Sequence, residues 1–223
     1  MKRAVVFAIG LVMTLFTAPL FAQKQFSAEV VDASKQGGFS HSKIYMGERK
    51  IRIEPEGKQS DSAMNPTAII MDADAQKNYV VIDEQRIVVE NVPSSMRTTK
   101  MLPDVWWHLD VNDPCGSMRK WREENNMRED RSEWSNCKNL GSERVNGRSA
   151  TKWQATNGQG ETGYFWLDPE LHFPLKVESK DSHMTLENIK EGTQPASLFE
   201  PPAGYRVVTM QQMVQEMMKR QRP

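Results

Sequence analysis

"IIMDADAQKNYVVIDEQRIVV", residues 69–89, is the stretch whose reading decides the fold. Ile69 and Met71, Tyr79 and Val81, and Ile87 and Val89 are each spaced two apart, the period of a strand with one buried face. Between them stand Asp72-Ala73-Asp74 ahead of Lys77-Asn78, then Asp83-Glu84, all turn material. Connections this short favour antiparallel neighbours, because a parallel pair needs a crossover of roughly a dozen residues or more. Toward the N-terminus the period recurs in Phe26-Ala28-Val30, Ile44-Met46 and Ile51-Ile53, separated by Gly37-Gly38 and Gly47-Glu48. Phe26–Asn91 therefore reads as a meander.

Beyond it the chain changes character. Pro93, Pro103 and Pro114 interrupt Val92–Leu140, and Met118–Ser132 is rich in Arg, Glu and Asn, with Met118, Trp121 and Arg122 at the spacing of a short helix. Alternation resumes in Arg148–Asn157, Glu161–Asp168, Leu171–Lys180 and Met184–Lys190, joined by Asn157-Gly158-Gln159-Gly160 and Asp168-Pro169-Glu170 turns. Leu171, Phe173, Leu175 and Val177 are expected on one face, with Pro174 marking an edge or a bulge. Thr209–Gln221 reads as an amphipathic helix with Thr209 as N-cap and Met210, Met213, Val214, Met217 and Met218 as its apolar stripe.

Lys2-Arg3, the apolar run Ala4–Phe16 and the small-residue close at Ala22 form a secretory signal peptide, with cleavage expected after Ala22. The run is shorter than the ~20 apolar residues of a membrane-spanning helix, so the mature chain is expected to be soluble and periplasmic or secreted. The 29 Lys and Arg balance 29 Asp and Glu. With basic residues dispersed apart from Lys219-Arg220-Gln221-Arg222, nucleic acid is a poor partner.

"LGSERVNGRSATKWQ", "YFWLDPELHFPLKVES" and "LENIKEGTQPASLFEPPAGYRVV", within Asn139–Val208, resemble the closing strands of exported bacterial proteins related to the lipoprotein carrier and sorting (Lol-type) superfamily. They are most similar to an uncharacterised exported branch whose members often carry a cysteine pair before a "VNGR" strand. The most specific pieces are the hairpin Trp166–Val177 and the exit Ser197–Tyr205. The resemblance implies a mainly β (α+β) fold: a curved antiparallel sheet forming an unclosed half-barrel covered by short helices, with an apolar cavity between. On this reading 1–22 is the signal peptide and 23–208 a single half-barrel domain with a disulfide-closed helical insert at 115–137. The remainder, 209–223, is the C-terminal helix.

Cys115 and Cys137 are the only cysteines. A zinc site would need two further ligands, and His41, His108, His172 and His183 show no ligand spacing. In an exported chain two such cysteines most often pair, and closing this loop would contribute roughly 3 kcal/mol; the alternative is a pair of thiols awaiting a partner. No catalytic set can be assembled: Ser40-His41 lacks a nucleophile elbow, and Asp72-Ala73-Asp74 lacks the rest of a calcium loop. Met210, Met213, Met217 and Met218 could in principle hold Cu(I), but their spacing is equally that of a packing stripe. No metal or cofactor is expected.

The expected function is non-enzymatic: a binding protein holding an apolar ligand, lipid or lipidated partner in the half-barrel. Its cavity wall, chosen by alternation, is Val30, Ile44, Ile53, Met71, Val81, Val89, Trp153, Leu175 and Val177. The alternative is a filled half-barrel acting as an envelope scaffold or chaperone-like interaction module.

Overall fold

Strand β1 (Phe26–Asp32) places Phe26, Ala28 and Val30 opposite Met46, Ile44 and Ser42 of β2 (His41–Met46), and β2 in turn lays Ile44 and Met46 opposite Ile53 and Ile51 of β3 (Lys50–Glu56). The period-two residues thus meet on one face. The meander continues antiparallel through β4 (Ala68–Asp72), β5 (Lys77–Ile82) and β6 (Ile87–Glu90). A second meander comprises β7 (Trp134–Val145), β8 (Arg148–Asn157), β9 (Thr162–Asp168), β10 (Phe173–Glu178) and β11 (His183–Glu191). Pairing of β1 with β11 fuses the two into one 12-stranded sheet, with β12 (Arg206–Thr209) at one edge and β7 at the other. The edges do not pair, so the barrel is unclosed. The computed structural model describes residues 24–33, 41–57, 65–92, 107–126, 134–180 and 182–220. The expected signal peptide at 1–22, Gly37-Gly38, Ser40, Met127–Ser132 and Gln221 lie outside them.

The sheet is strongly curled. The β7–β8 turn reaches β11, where Asn146 Nδ2 donates to the Leu186 carbonyl at 2.9 Å, although β9 and β10 lie between. In a flat sheet those strands would stand about 14 Å apart, beyond an asparagine's reach. Register shifts supply the extra twist: one on β11 about Asn188 (φ 50°), one on β10 between Pro174 and Lys176. Pro174 therefore marks a bulge within the sheet, not an edge.

Two expectations are corrected. The pairing is antiparallel except at β12, which runs parallel to β6; the whole second meander separates the two in sequence, ample for a crossover. And β4–β6 are apolar on both faces. Ile53, Ile69, Val80, Val89 and Val208 form one row across five strands, while Ala68, Ile70, Val81 and Val88 face the other way. That second face is covered by the return segment, a 3-10 turn at Ala196–Phe199 whose Phe199 ring lies on Gly47 so closely that a Cβ there would stand 2.7 Å away.

Helix α1 (Pro114–Glu124) is set by its N-cap Asp113, whose carboxylate accepts from Gly116 N at 3.0 Å, with Pro114 in the first turn. It occupies the first part of the expected 115–137 insert, and Cys137 lies in strand β7. Helix α2 (Met210–Arg220) opens with a reciprocal cap: Gln212 N donates to Thr209 Oγ1 at 3.2 Å and Thr209 N to Gln212 Oε1 at 2.8 Å. Met210 and Met213 pack on Val80, Ile82, Ile87, Val89 and Val208. α1 lies chiefly along β7, and α2 along β12 and β6.

Candidate binding site

The motifs behind the family resemblance converge on one latch. Arg148 Nε donates to Asp168 Oδ2 at 2.6 Å, and its Nη1 to Glu191 Oε1 at 2.7 Å. The other oxygen of Asp168 accepts from the backbone of Glu170 and Leu171, which forms the turn into β10. Lys24 closes the chain of charges, 3.0 Å from Glu191. Burial works against the Arg148 charge, yet its bonds to Asp168 and Glu191 outweigh this and raise its pKa. The hydrogen bond from Lys24, then that from Arg148, holds the Glu191 carboxyl below the usual range. With Asn146 on Leu186, these residues pin the β7–β8 hairpin to β11. Their role is architectural: both anchoring charges are already paired. Beside the latch lies a surface cleft of about 480 Å³ lined by Asn146, Arg148, Leu186, Glu187, Asn188 and Ile189, polar and without any of the expected wall residues.

The expected wall divides among several clusters. Ile44, Ile53, Met71 and Leu175 are buried together in the main cluster with Phe26, Trp166 and Phe173, and Val30 packs against it. Phe26 and Phe173 meet edge-on at 5.6 Å. Val89 lies in the cluster beneath α2. Val81 sits on the opposite face, so the spacing of Tyr79 and Val81 picks the wrong side of β5. The bulge at β10 separates Leu175 from Val177: Leu175 is buried, whereas Val177 is half-buried opposite Phe165. Leu171 precedes β10, in the turn.

Trp153 belongs to a separate cluster under α1. It packs with Leu109 and Leu167, joined by the partly buried Val111, Met118, Cys137 and Phe165. Trp153 and Phe165 stack nearly parallel, 6.5 Å between centroids and 13° between planes. Register puts Trp153, Phe165 and Leu167 on one face of β8–β9 and Trp166 on the other, where Lys152 and Lys176 lie 4.8 and 4.6 Å from its ring centroid. Glu143 accepts from the Trp166 indole at 2.7 Å, and that bond, followed by the one from Lys152, lowers the Glu143 pKa. α1 therefore covers the reverse side of the hairpin and not the main cluster.

The cover is light. Cys115 and Cys137 join α1 to β7 through a disulfide with Cα atoms 5.6 Å apart. Apart from this tether, the residues of α1 that turn inward are Pro114, Met118 and Trp121, while Arg119, Lys120, Glu123 and Glu124 are exposed. Beneath it the Trp153 side chain is 6% exposed and its Nε1 has no hydrogen-bond partner among the described residues. An orphaned buried donor costs about 1–3 kcal/mol. Trp107, whose ring packs against the main cluster under Arg49 at 5.9 Å, also has an unpartnered indole nitrogen. Residues 107–111 thus run from one cluster to the other with an unsatisfied indole at each.

Among the described residues no group of three or more His, Cys, Asp or Glu is placed to hold a metal. His41, His108 and His183 are exposed, and His172 lies in the β9–β10 turn. Asp72 accepts from Ala75 N and pairs with Lys50, and Asp74 pairs with Arg49, so both serve the β4–β5 turn. Met213 is buried among aliphatic side chains and Met218 points outward, 60% exposed.

No family model matches the sequence, and no curated protein matches it. Solved structures do. The chain is similar to an uncharacterized conserved protein from Thermus thermophilus, at 12% identity over 85% of this chain and 92% of that one, with a TM-score of 0.49. It is similar to a chain of the MucA/MucB complex from Pseudomonas aeruginosa, at 16% identity over 85% of this chain and 60% of that one, TM-score 0.42. A LolA superfamily protein from Nitrosomonas europaea is also similar, at 11% identity over 80% of this chain and 90% of that one, TM-score 0.34. No helix among the described residues is long and apolar enough to cross a membrane.

Proposed function

We propose that this protein is an exported, non-enzymatic binding protein that receives an apolar ligand, or the lipid chain of a lipidated partner, beneath α1 on the floor formed by Trp153, Phe165 and Leu167. The observation that carries the reading is the combination of a stacked aromatic floor with a cover tied down by one covalent link and few apolar contacts. Apolar ligands are held through apolar contact plus a few polar groups. The main cluster is a poorer seat, because its large side chains already pack against one another. Native mass spectrometry and lipid extraction of protein purified from its own envelope test the proposal, together with competition against a fluorescent apolar probe. A bound apolar molecule supports it; no bound molecule and no competing lipid overturns it.

The packed main cluster also favours a second reading, a filled half-barrel acting as an envelope interaction module. Val207, Val214 and Met218 are exposed apolar residues at the β12–α2 end and would be its contact surface. Crosslinking from α1 and α2 positions separates the two readings: protein partners captured at α2 without bound lipid favour the module.

A further inference from the structure

Resting on the reading of α1 as the cover of a binding site, we propose that the Trp153 indole N–H is the polar handle of that site. Its ligand is then an apolar chain that carries a carbonyl oxygen, an ester or amide, and not a bare hydrocarbon. The indole is more than nine-tenths buried, and its Nε1 meets no acceptor among the described residues. Native proteins pair nearly all such groups, so an unpaired donor at a lightly covered aromatic floor marks the place of an acceptor supplied from outside the chain. The apolar side chains around it, Leu109, Val111, Met118, Phe165 and Leu167, carry no oxygen acceptor, and Asn139, its register partner on β7, accepts through Oδ1 from Gly141 N. One N–H in that setting fixes where along the ligand the oxygen must fall.

The rest of the geometry fits a cover that moves. The disulfide engages the second residue of α1, so the helix is held near its N-terminal end while Met118 and Trp121 lie further along it. Swinging the far end away uncovers Trp153 without breaking the sheet, because α1 contributes no strand pairing. The second unpartnered indole, Trp107, lies at the other end of the 107–111 arm, so displacement of the arm would bring both donors into reach.

The test compares two chain-matched probes, methyl laurate and tetradecane, on the oxidised mature protein. Indole N–H resonances are followed by NMR, and the Trp153 signal is identified by its loss in Trp153→Phe. Methyl laurate is expected to move that signal downfield, as a new hydrogen bond does, and tetradecane is not. Trp153→Phe, which keeps a smaller ring on the floor, is expected to weaken methyl laurate about tenfold more than it weakens tetradecane. Binding of both probes with no indole shift and no selective loss in the variant overturns the polar handle while sparing the apolar site. Binding of neither overturns both. The shift is read in the wild-type protein, so it stands even if the variant folds poorly.

Discussion

Trp166 and Leu167 are neighbours in β9 and belong to different cores: Trp166 is buried in the main cluster, Leu167 in the cluster beneath α1. The hairpin β8–β9 is a wall with apolar residues on both sides, and the disulfide-tethered helix serves only the outer one.

Reduction of Cys115–Cys137, or replacement of both by serine, is therefore expected to free α1 and leave the sheet standing. Loss of loop closure should lower stability by roughly 3 kcal/mol in the chain-entropy model. Trypsin should then cut after Arg119, Lys120 or Arg122 faster than in the oxidised protein, with the far-UV circular dichroism of the strands retained. Equal cleavage rates would contradict the picture of a tethered cover.

Arg148→Ala should be among the most damaging single changes at a partly exposed position. It leaves the Asp168 carboxylate, 2% exposed, without its cation, and breaking one side of a buried pair costs about 3–5 kcal/mol. Asp168→Asn keeps an oxygen for the Glu170 and Leu171 amides and should cost less. Urea midpoints of the two variants test the order, and a milder Arg148→Ala would show that the latch does not hold the curl.

Glu191 gives the latch a pH dependence of known sign. Its folded pKa is lowered by Lys24 and Arg148, so the contribution is present above the ordinary value near 4.5 and is lost as pH falls through the folded value. The thermal midpoint should decline on acidification below about pH 4.5, and more gently in Glu191→Gln. Identical acid limbs in the two proteins would remove Glu191 from the account.

Gly47→Ala should destabilise by about 1–3 kcal/mol through overpacking against the Phe199 ring. Phe199→Leu in the same chain should restore part of the loss. An additive double mutant would mean that the return segment does not press on β2–β3.

Much of the sheet is legible in the sequence because one-sided strands announce themselves. Alternation gives Arg148–Asn157 the bounds that β8 has, and Thr209 forms the cap expected of it. β7 escapes such a reading for a physical reason: as an edge strand it is exposed along most of its length, so polar residues occupy both faces and no alternation survives. The error at Val81 has the opposite cause. "YVVI" and "IVVE" are apolar on both faces, and in such runs periodicity cannot say which residue faces which cover. The floor under α1 is half visible: alternation selects Trp153, whereas Phe165 and Leu167 stand in "YFWLD", where the unbroken apolar run is itself the sign of a wall used on both sides. The orphaned indole has no sequence signature, because it depends on what fails to arrive in space.

The seam between β1 and β11 imposes an order in time. Glu29 accepts from Asn188, a residue 159 positions further along the chain, and Val30 lies beside Leu186. The first meander emerges during synthesis with the β1 edge bare, and its proper neighbour is nearly the last strand to be delivered. Until then Phe26 and Ile44 lack the second wall on which they close, so folding must wait on one distant pairing and is slow by topology. Slowing the arrival of β11 should therefore divert the newly made chain to aggregation well before it alters the stability of the finished fold.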